Sequence, residues 1–346
     1  MIDAIAKRLR ADVGVCITLS GGLDSTTIYT LVKERLRQNI QPFTFRHPGS
    51  KTDEYKKVKD LTSFYDDEVR CVSSDYDNGY RQIKELLSCL EFPIWNLSAI
   101  AYGDMYDFIR NNNFIVVLEG HGADEQLGGY PLMVRSAVFE CIWKKRFRKA
   151  FRLYEVLAET NNLDIGARSS LVRFMGSFVK DAIKNKKLDV SFNERVRDVF
   201  GYRILPILLR AFDRITMRSS VESRSPFLDY RVVEFFNKMP LQYKVSELGS
   251  KTILRLILKK YNKKAIYGDK KKMGFACDLP AFYRLEENRK YIREQINKFN
   301  LSNYVSLKKT ALSEIAKKNI GWADTDAVWK ISSLSMINQM YRISCE

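Results

Sequence analysis

The chain has 346 residues, of which 45% are hydrophobic and 29% charged, an ordinary composition for a soluble globular protein. It contains no run of about 18 apolar residues, and charges occur throughout its first 12 residues. We therefore expect neither a transmembrane helix nor a signal peptide, and a cytoplasmic location. The net charge of +17 fits solvated helix faces or a phosphate-rich ligand, and no zinc-finger or RNA-recognition module supports nucleic-acid binding.

The cysteine pattern favours free, reduced thiols over a metal site or disulfides. None of the six forms a C-x-x-C pair, and only two histidines are present, so a zinc site has little support. We expect reduced and mostly buried thiols.

Short apolar runs that predict strands alternate with helical spacing over the first 130 residues. The predicted strands are 13–19, 41–46, 68–73 and 114–118, and the predicted helices are 23–37, 53–65, 80–90 and 99–111. This alternation predicts βαβ units and a parallel sheet, in which ligands bind beyond the carboxyl ends of the strands. The loops 20–25 and 119–129 therefore lie where chemistry is expected.

The second part of the chain has a different pattern. From about Leu132 onward, strand patterns fade and helical patterns dominate, with no linker rich in proline or glycine. We predict an α/β nucleotide-binding core over residues 1–131 and a helical region over residues 132–346 that completes the same catalytic unit.

The loop 20–25, with the sequence SGGLDS, joins the first predicted strand to its helix. Adjacent glycines let backbone N–H groups approach a phosphate, and the helix offers its positive N-terminus. Ser20 and Ser25 add hydroxyl donors, and Asp24 can hold Mg²⁺. A helix-capping turn is the alternative for the glycines alone, and the absence of G-K-S/T excludes a Walker A loop. The whole string resembles the PP-loop of the ATP pyrophosphatases, which cleave ATP between its α- and β-phosphates.

A second glycine-rich loop, GHGADE at 120–125, follows the predicted strand 114–118 and continues to GGY at 128–130. Asp124 supplies a second carboxylate opposite Asp24, and two carboxylates around one Mg²⁺–pyrophosphate are chemically sensible. The alternative is a glycine-rich turn with solvated acids.

Three later strings narrow the resemblance to one family. They are VESRSPFLD at 221–229, GSKTILR at 249–255 and KMGF at 272–275. Together with the two loops, they resemble the synthetase domain of the asparagine synthetase family, which has E-x-R-x-P-F-L-D, K-x-x-L-R and K-x-G-F strings in this order. The resemblance runs from about residue 10 to residue 285. It implies a PP-loop α/β fold with an extended helical region, and ATP and Mg²⁺ as cofactors.

The resemblance also implies roles for individual residues. The pyrophosphate of ATP is expected to contact Ser20, Gly21, Gly22, Ser25 and Lys272. Adenosine is expected to contact Leu19, Phe45 and Gly120. Magnesium is expected to bind Asp24 and Asp124, and Lys251 is expected to stabilise charge at the α-phosphate and the acyl intermediate. For Lys251 and Lys272, an ordinary surface lysine is the alternative.

Three other residues of the family strings receive a structural interpretation. We expect Glu222, Arg224 and Asp229 to form salt bridges that order the helical region, rather than to contact substrate.

The sequence departs from the family pattern in two ways. Ile2 stands where the family's glutaminase domain has its cysteine nucleophile, and the PP-loop begins at residue 20, so we expect the chain to lack that domain. We therefore expect ammonia to come free or from a separate glutaminase subunit, or another amine to replace it. His121 stands where the family has a glutamate thought to deprotonate the attacking nitrogen. An imidazole can take that proton near neutral pH, although filling the turn or bonding substrate is the alternative.

These observations predict an ATP-dependent amide-forming ligase. It would adenylate a small-molecule or conjugated carboxylate, release pyrophosphate, and transfer the acyl group to ammonia or an amine. A tRNA-modifying PP-loop enzyme is one alternative, but we find neither an RNA-binding appendage nor cysteines arranged for sulfur transfer. The other alternative is a nucleotide-binding protein without catalytic activity, which the intact loops and Lys251 argue against.

Overall fold

The structure is a computed structural model that describes residues 1–48, 53–73, 76–77, 79–93, 97–160, 191–269, 279–299, 305–317 and 325–341. Its centre is a parallel sheet of five strands. They are Val15–Thr18 (β1), Gln41–Arg46 (β2), Arg70–Ser73 (β3), Val116–Leu118 (β4) and Glu222–Arg224 (β5). The strand order is β3-β2-β1-β4-β5, so the order reverses between β1 and β4. Ile17 pairs with Leu118, which brings the carboxyl ends of these two strands together.

Helices surround the sheet. In the first part of the chain they are Ile2–Arg8 (α1), Leu23–Leu31 (α2), Tyr55–Ser63 (α3), Gly79–Leu90 (α4), Ser98–Asn111 (α5), Ala123–Leu127 (α6), Pro131–Trp143 (α7) and Phe147–Thr160 (α8). After residue 190 they are Phe192–Asp198 (α9), Leu205–Arg218 (α10), Tyr230–Lys238 (α11), Leu241–Lys244 (α12), Thr252–Lys260 (α13), Lys264–Tyr267 (α14), Leu279–Arg284 (α15), Glu286–Lys298 (α16), Val305–Ile315 (α17) and Thr325–Tyr341 (α18). Single π-helical turns, Val32–Leu36 and Val199–Arg203, extend α2 and α9.

The three central strands, β1, β2 and β4, are buried, which explains why they read as apolar runs. Side chains of a strand alternate between faces, and neighbouring residues of β1 and β4 accordingly enter different cores. Cys16 and Val117 belong to a core that includes residues of α4, α5, α10 and the C-terminal helices. Ile17 and Leu118 belong to a second core with residues of α1, α2, α11 and α13. The predicted α/β class with a parallel sheet and many helices is confirmed.

One strand of the sheet was not anticipated. β5 comes from the part of the chain where helices were predicted, and it pairs in parallel with β4 at the edge of the sheet. A short antiparallel hairpin, Val245–Ser246 (β6) with Gly249–Ser250 (β7), lies in the same part. Residues 132–346 are therefore not purely helical, and the division near residue 131 stays a prediction. No described helix combines the length and the apolar character needed to span a bilayer.

The arginine of β5 fixes the N-terminal segment to the sheet edge. The guanidinium of Arg224 donates hydrogen bonds to the carbonyl oxygens of Arg8 and Arg10 at 2.9 and 2.8 Å. Its Nε donates to Glu222 at 2.7 Å. The structural role expected of Glu222 and Arg224 agrees with these contacts.

Asp229 is the centre of a second set of contacts at this edge. Its carboxylate accepts hydrogen bonds from Arg8 at 3.0 Å and from Arg231 at 2.9 Å, and it caps α11 by accepting from the backbone N–H of Arg231. Arg231 also contacts Asp3. We call Asp3, Arg8, Asp229 and Arg231 the edge cluster. It ties α1 to the start of α11, again a structural role.

Four cysteines lie within the described residues, and all four are free thiols. Cys16 and Cys141 are buried, and burial raises the pKa of the Cys16 thiol. Cys277 and Cys345 lie outside the described residues.

Candidate active site

The loop after β1 is held in shape by its own serines. Ser20 N–H donates to Ser25 Oγ at 3.2 Å, and the two hydroxyl oxygens are 3.3 Å apart. Gly22 N–H donates to Ser20 Oγ at 3.3 Å, and Gly22 is the N-cap of α2. The loop therefore presents hydroxyls and the first N–H groups of a helix to the cavity, which suits an anion.

The loop after β4 approaches the first loop so closely that it requires glycine. A Cβ atom on Gly120 would lie 2.7 Å from Cβ of Asp24, and one on Gly129 would lie 1.7 Å from Oδ1 of Asp124. Asp124 sits in the first turn of α6, and its carbonyl accepts from Gly129 N–H at 2.8 Å. The glycines of the second loop thus allow the carboxylates of Asp24 and Asp124 to face one another.

Lys251 lies between these two carboxylates. The β6–β7 hairpin delivers it with a left-handed backbone (φ 55°), and its N–H donates to the carbonyl of Leu127 at 3.1 Å. Its ammonium nitrogen is 2.6 Å from Asp24 Oδ2 and 2.7 Å from Asp124 Oδ1. Burial opposes the charge on Lys251, but the two carboxylates outweigh burial and raise its pKa. We call Asp24, Asp124 and Lys251 the cavity cluster.

The geometry of the cavity cluster fits a divalent cation. Both carboxylates already converge on one positively charged nitrogen, so they can converge on a metal ion. The described residues contain no group of three or more acidic, histidine or cysteine side chains that could enclose a metal. Two carboxylates are sufficient for Mg²⁺, which keeps several water ligands and takes others from phosphate oxygens.

His121 is half-buried and forms an ion pair with the buried Glu119 beside the cavity cluster. Its Nε2 is 3.3 Å from Glu119 Oε2, and its ring packs on Phe212 with centroids 4.1 Å apart. Burial disfavours the charge on each partner, but their attraction outweighs it. The pKa of His121 is therefore raised, and the pKa of Glu119 is lowered.

Glu119 is held by hydroxyl donors from two different elements and by its ion pair with His121. Tyr106 on α5 donates its hydroxyl hydrogen at 2.7 Å, Ser223 on β5 donates its own to the other carboxylate oxygen, and His121 lies in the loop. Glu119 is 3% exposed, so it orients the imidazole from a rigid and dry position. We infer that it acts on His121 as a positioning residue.

Arg255 organises the segment at the other side of Lys251. It is 3% exposed, and its guanidinium donates to the carbonyls of Ser250, Tyr267 and Asp269 at 2.7–2.9 Å. These contacts fix the hairpin that carries Lys251 against the turn that ends at residue 269.

One cavity of about 660 Å³ contains most of the predicted site residues. Those that line it are Leu19, Ser20, Gly21, Gly22, Asp24, Ser25, Gly120, His121, Asp124 and Lys251. Phe45 does not line it. This residue is buried in β2, its ring 4.7 Å from that of His47, and its contact with adenosine stays a prediction. Lys272 lies outside the described residues.

Sequence reasoning did not assign roles to several residues of the site. Glu119 had a detectable signal, because it is the first residue after β4 and therefore lies at the carboxyl end of a parallel strand. Arg255 also had a signal, because it ends the K-x-x-L-R string. Tyr106 and Phe212 had none, because their spacing is that of ordinary helix residues. Only the packing of their helices brings them to the site.

Comparison with known proteins identifies the same family as the sequence strings. A sequence model of the asparagine synthase family matches residues 1–342. The chain is similar to amidase chyE of Penicillium rubens, with 24% identity over 339 residues that cover 79% of this chain and 50% of the relative.

Two bacterial relatives carry asparagine synthetase names. A putative asparagine synthetase (glutamine-hydrolyzing) of Mycobacterium tuberculosis is 28% identical over 302 residues, covering 74% of this chain and 44% of the relative. Asparagine synthetase (glutamine-hydrolyzing) 1 of Bacillus subtilis is 24% identical over 342 residues, which cover 88% of this chain and 52% of the relative. The chain thus spans about half the length of these curated relatives.

Proposed function

Because the chain belongs to the asparagine synthase family, we propose that it is an ATP-dependent amide-forming ligase. The observation that carries this proposal is the position of the Lys251 ammonium, 2.6 Å from Asp24 and 2.7 Å from Asp124. Three separate sequence strings thereby supply one cation and two carboxylates to a single point beside the phosphate-type loop.

In the first step, an oxygen of the substrate carboxylate would attack the α-phosphorus of ATP. The bond from this phosphorus to the oxygen that bridges to the β-phosphate breaks, giving an acyl-adenylate and pyrophosphate. The loop 20–25 would hold the pyrophosphate through its N–H groups and hydroxyls. Lys251 is placed to stabilise the negative charge that develops at the α-phosphate, which is typically the largest contribution to such catalysis.

Asp24 and Asp124 would hold Mg²⁺. A magnesium ion there would neutralise phosphate charge as it develops.

In the second step, ammonia or another amine would attack the acyl carbonyl, AMP would leave, and one proton must be removed from the nitrogen. His121 is the candidate acceptor, and the carboxylate of Glu119 would stabilise the imidazolium that forms. The amine would come from solution or from a separate glutaminase, and we place the reaction in the cytoplasm. The names of the relatives support amide chemistry, since they refer to an amidase or to asparagine synthetases.

The test is to identify the nucleotide and phosphate products that the protein forms from ATP. Purified protein is incubated with Mg-ATP, ammonium and a panel of carboxylic acids, and nucleotides and phosphates are separated chromatographically. We expect AMP and pyrophosphate in equal amounts, dependent on an acid. Formation of ADP and phosphate instead would contradict the adenylation chemistry, and release that requires tRNA would favour the tRNA-modifying alternative. The same assay on Lys251→Met controls for contaminating ATPases.

A further inference from the structure

The cavity has a second wall that the phosphate chemistry does not use. Four residues of α10 line it, Leu205, Ile207, Leu208 and Phe212. The spacing of three and four places Leu205, Leu208 and Phe212 on one helix face. On α5, Tyr102 and Met105 line it with the same kind of spacing, together with Ser98 at the start of the helix.

These two helix faces meet beside the catalytic groups. The rings of Tyr102 and Phe212 pack edge to face at 4.6 Å between centroids, and Phe212 also contacts the His121 ring. Leu205, Phe212 and Met105 are at most 5% exposed. The wall beyond His121 is therefore apolar and fixed in position, rather than a flexible surface.

The buried part of this wall carries no positive charge within the described part of the chain. Of the cationic side chains that line the cavity, Lys251, Arg255 and His121 are already engaged by protein groups. Arg203 is paired with Asp198 at 2.9 Å and lies at the rim with a side chain 70% exposed. A substrate with a second carboxylate packed against this wall would have to bury it without a partner, which is unfavourable.

We propose that the acyl donor is a monocarboxylic acid with an apolar body, an aliphatic chain or an aromatic ring, that packs between α5 and α10. This proposal rests on the proposed function, because it assumes that the carboxylate is activated at Lys251. The phosphate loops form one side of the cavity and the apolar helices form the other. The part of an acyl-adenylate that is not AMP therefore extends along the helices.

ATP–pyrophosphate exchange tests the acyl donor alone, because this exchange requires the acid but no amine. The panel is aspartate, glutamate, butyrate, hexanoate, phenylacetate and 3-phenylpropanoate. We expect exchange with the apolar acids, with kcat/KM rising about fourfold for each added methylene until the wall is filled. Aspartate and glutamate should be at least about tenfold poorer.

A charge placed on the wall provides a second readout. Leu208→Arg should raise KM for the apolar acids about tenfold, lower KM for the dicarboxylates, and leave KM for ATP unchanged. Met217→Arg is the matched control, since Met217 lies on the same helix, is 55% exposed and does not line the cavity. It should leave the acid preference as it is.

Two negative results are distinguishable. Exchange that is faster with aspartate or glutamate than with every apolar acid overturns the apolar acyl donor and leaves the ligase function intact. Absence of exchange with every acid contradicts the ligase function, and this inference with it.

Discussion

The cavity cluster and the edge cluster are made of the same kinds of groups, but their charges are balanced differently. In the cavity, one ammonium faces the two carboxylates of Asp24 and Asp124. At the edge, two guanidinium groups face the carboxylates of Asp229 and Asp3. The cavity cluster therefore has an excess of negative charge, whereas the edge cluster is neutral.

This difference separates a binding site from a structural support. A group of charges that is already neutral gains little from a ligand and serves to join two elements. An excess carboxylate in a half-buried place is stabilised by an incoming cation, because partial removal of charge from water is unfavourable unless it is compensated. The predictions below test whether the two clusters differ in this way.

The largest effect is expected at Lys251. Lys251→Met should lower acid-dependent pyrophosphate release by about 100–1000-fold, because the cation that stabilises the developing charge is lost. Lys238→Met is the control, since Lys238 is exposed on α11. A Lys251→Met variant that is folded by circular dichroism and keeps more than a tenth of the activity would show that this cation is not catalytic.

The pair of His121 and Glu119 extends the comparison, because it is a balanced pair inside the cavity. His121→Asn should lower the rate of amide formation by about 100-fold, the usual contribution of a general base. Glu119→Gln should have a smaller effect on the maximal rate and should change its pH dependence.

The direction of this pH dependence follows from the pKa of His121. Burial lowers this pKa, but the negative charge of Glu119 raises it by more, so the pKa lies above its ordinary value. The neutral imidazole forms only above that pKa, so the rate should rise with pH through it. Glu119→Gln removes the attraction and lowers the pKa of His121, so the rising limb should move to lower pH. Rate measurements from pH 5 to 9 check this, and an unmoved limb would assign the titration to another group.

A moderate effect is expected for the carboxylates of the cavity cluster. Asp24→Asn and Asp124→Asn should each weaken Mg-ATP binding at least about tenfold and raise the magnesium concentration needed for activity. Calorimetric titration measures the affinity for Mg-ATP, and pyrophosphate release at increasing magnesium concentrations measures the requirement for the metal. Asp213→Asn, at an exposed position of α10, should bind Mg-ATP as the wild type does. Equal affinity of all three variants would remove the reason to place the metal here.

The smallest effect is expected at the edge cluster, on stability alone. Asp229→Ala removes the cap of α11 and should lower the free energy of unfolding by about 1–2 kcal/mol, with pyrophosphate release unchanged. Urea denaturation measures this difference. A loss of activity at unchanged stability would mean that the edge cluster has a functional role.

The difference in the free energy of unfolding between wild type and Asp229→Ala should also depend on pH. Hydrogen bonds from Arg231, followed by those from Arg8, lower the pKa of Asp229 below its ordinary value near 4. Its contribution is therefore present above about pH 4 and is lost as pH falls toward the folded-state pKa. Wild type and Asp229→Ala should converge in stability under acid.

The sequence predicted the parts of the molecule that depend on local pattern. β2 has the predicted bounds, and the loop 20–25 and the loop after β4 lie at neighbouring strand ends as expected. β5 was missed because it has three residues, two of them charged, so it shows neither an apolar run nor alternation. Its strand conformation comes from pairing with β4, which a local pattern does not contain.

The candidate site was predictable in its loops but not in its side-chain pairs. Asp24 and Asp124 could be named because both follow strands that meet at one sheet edge. The contact of Lys251 with both, and the contacts of Glu119 with Tyr106, Ser223 and His121, depend on how separate elements pack. Phe45 illustrates the limit, since its strand was predicted correctly while its side chain lies away from the cavity.

The sequence separation within the cavity cluster has a consequence during synthesis. Asp24 and Lys251 are 227 residues apart, and Asp124 is made roughly midway between them. On the ribosome, domains tend to fold from the N-terminus, so the two acidic loops can meet well before their lysine is translated. In that interval two carboxylates repel each other with no ammonium between them. Cellular magnesium would be the natural counterion for the unfinished chain, and Lys251 would join the site once the β6–β7 hairpin has been made.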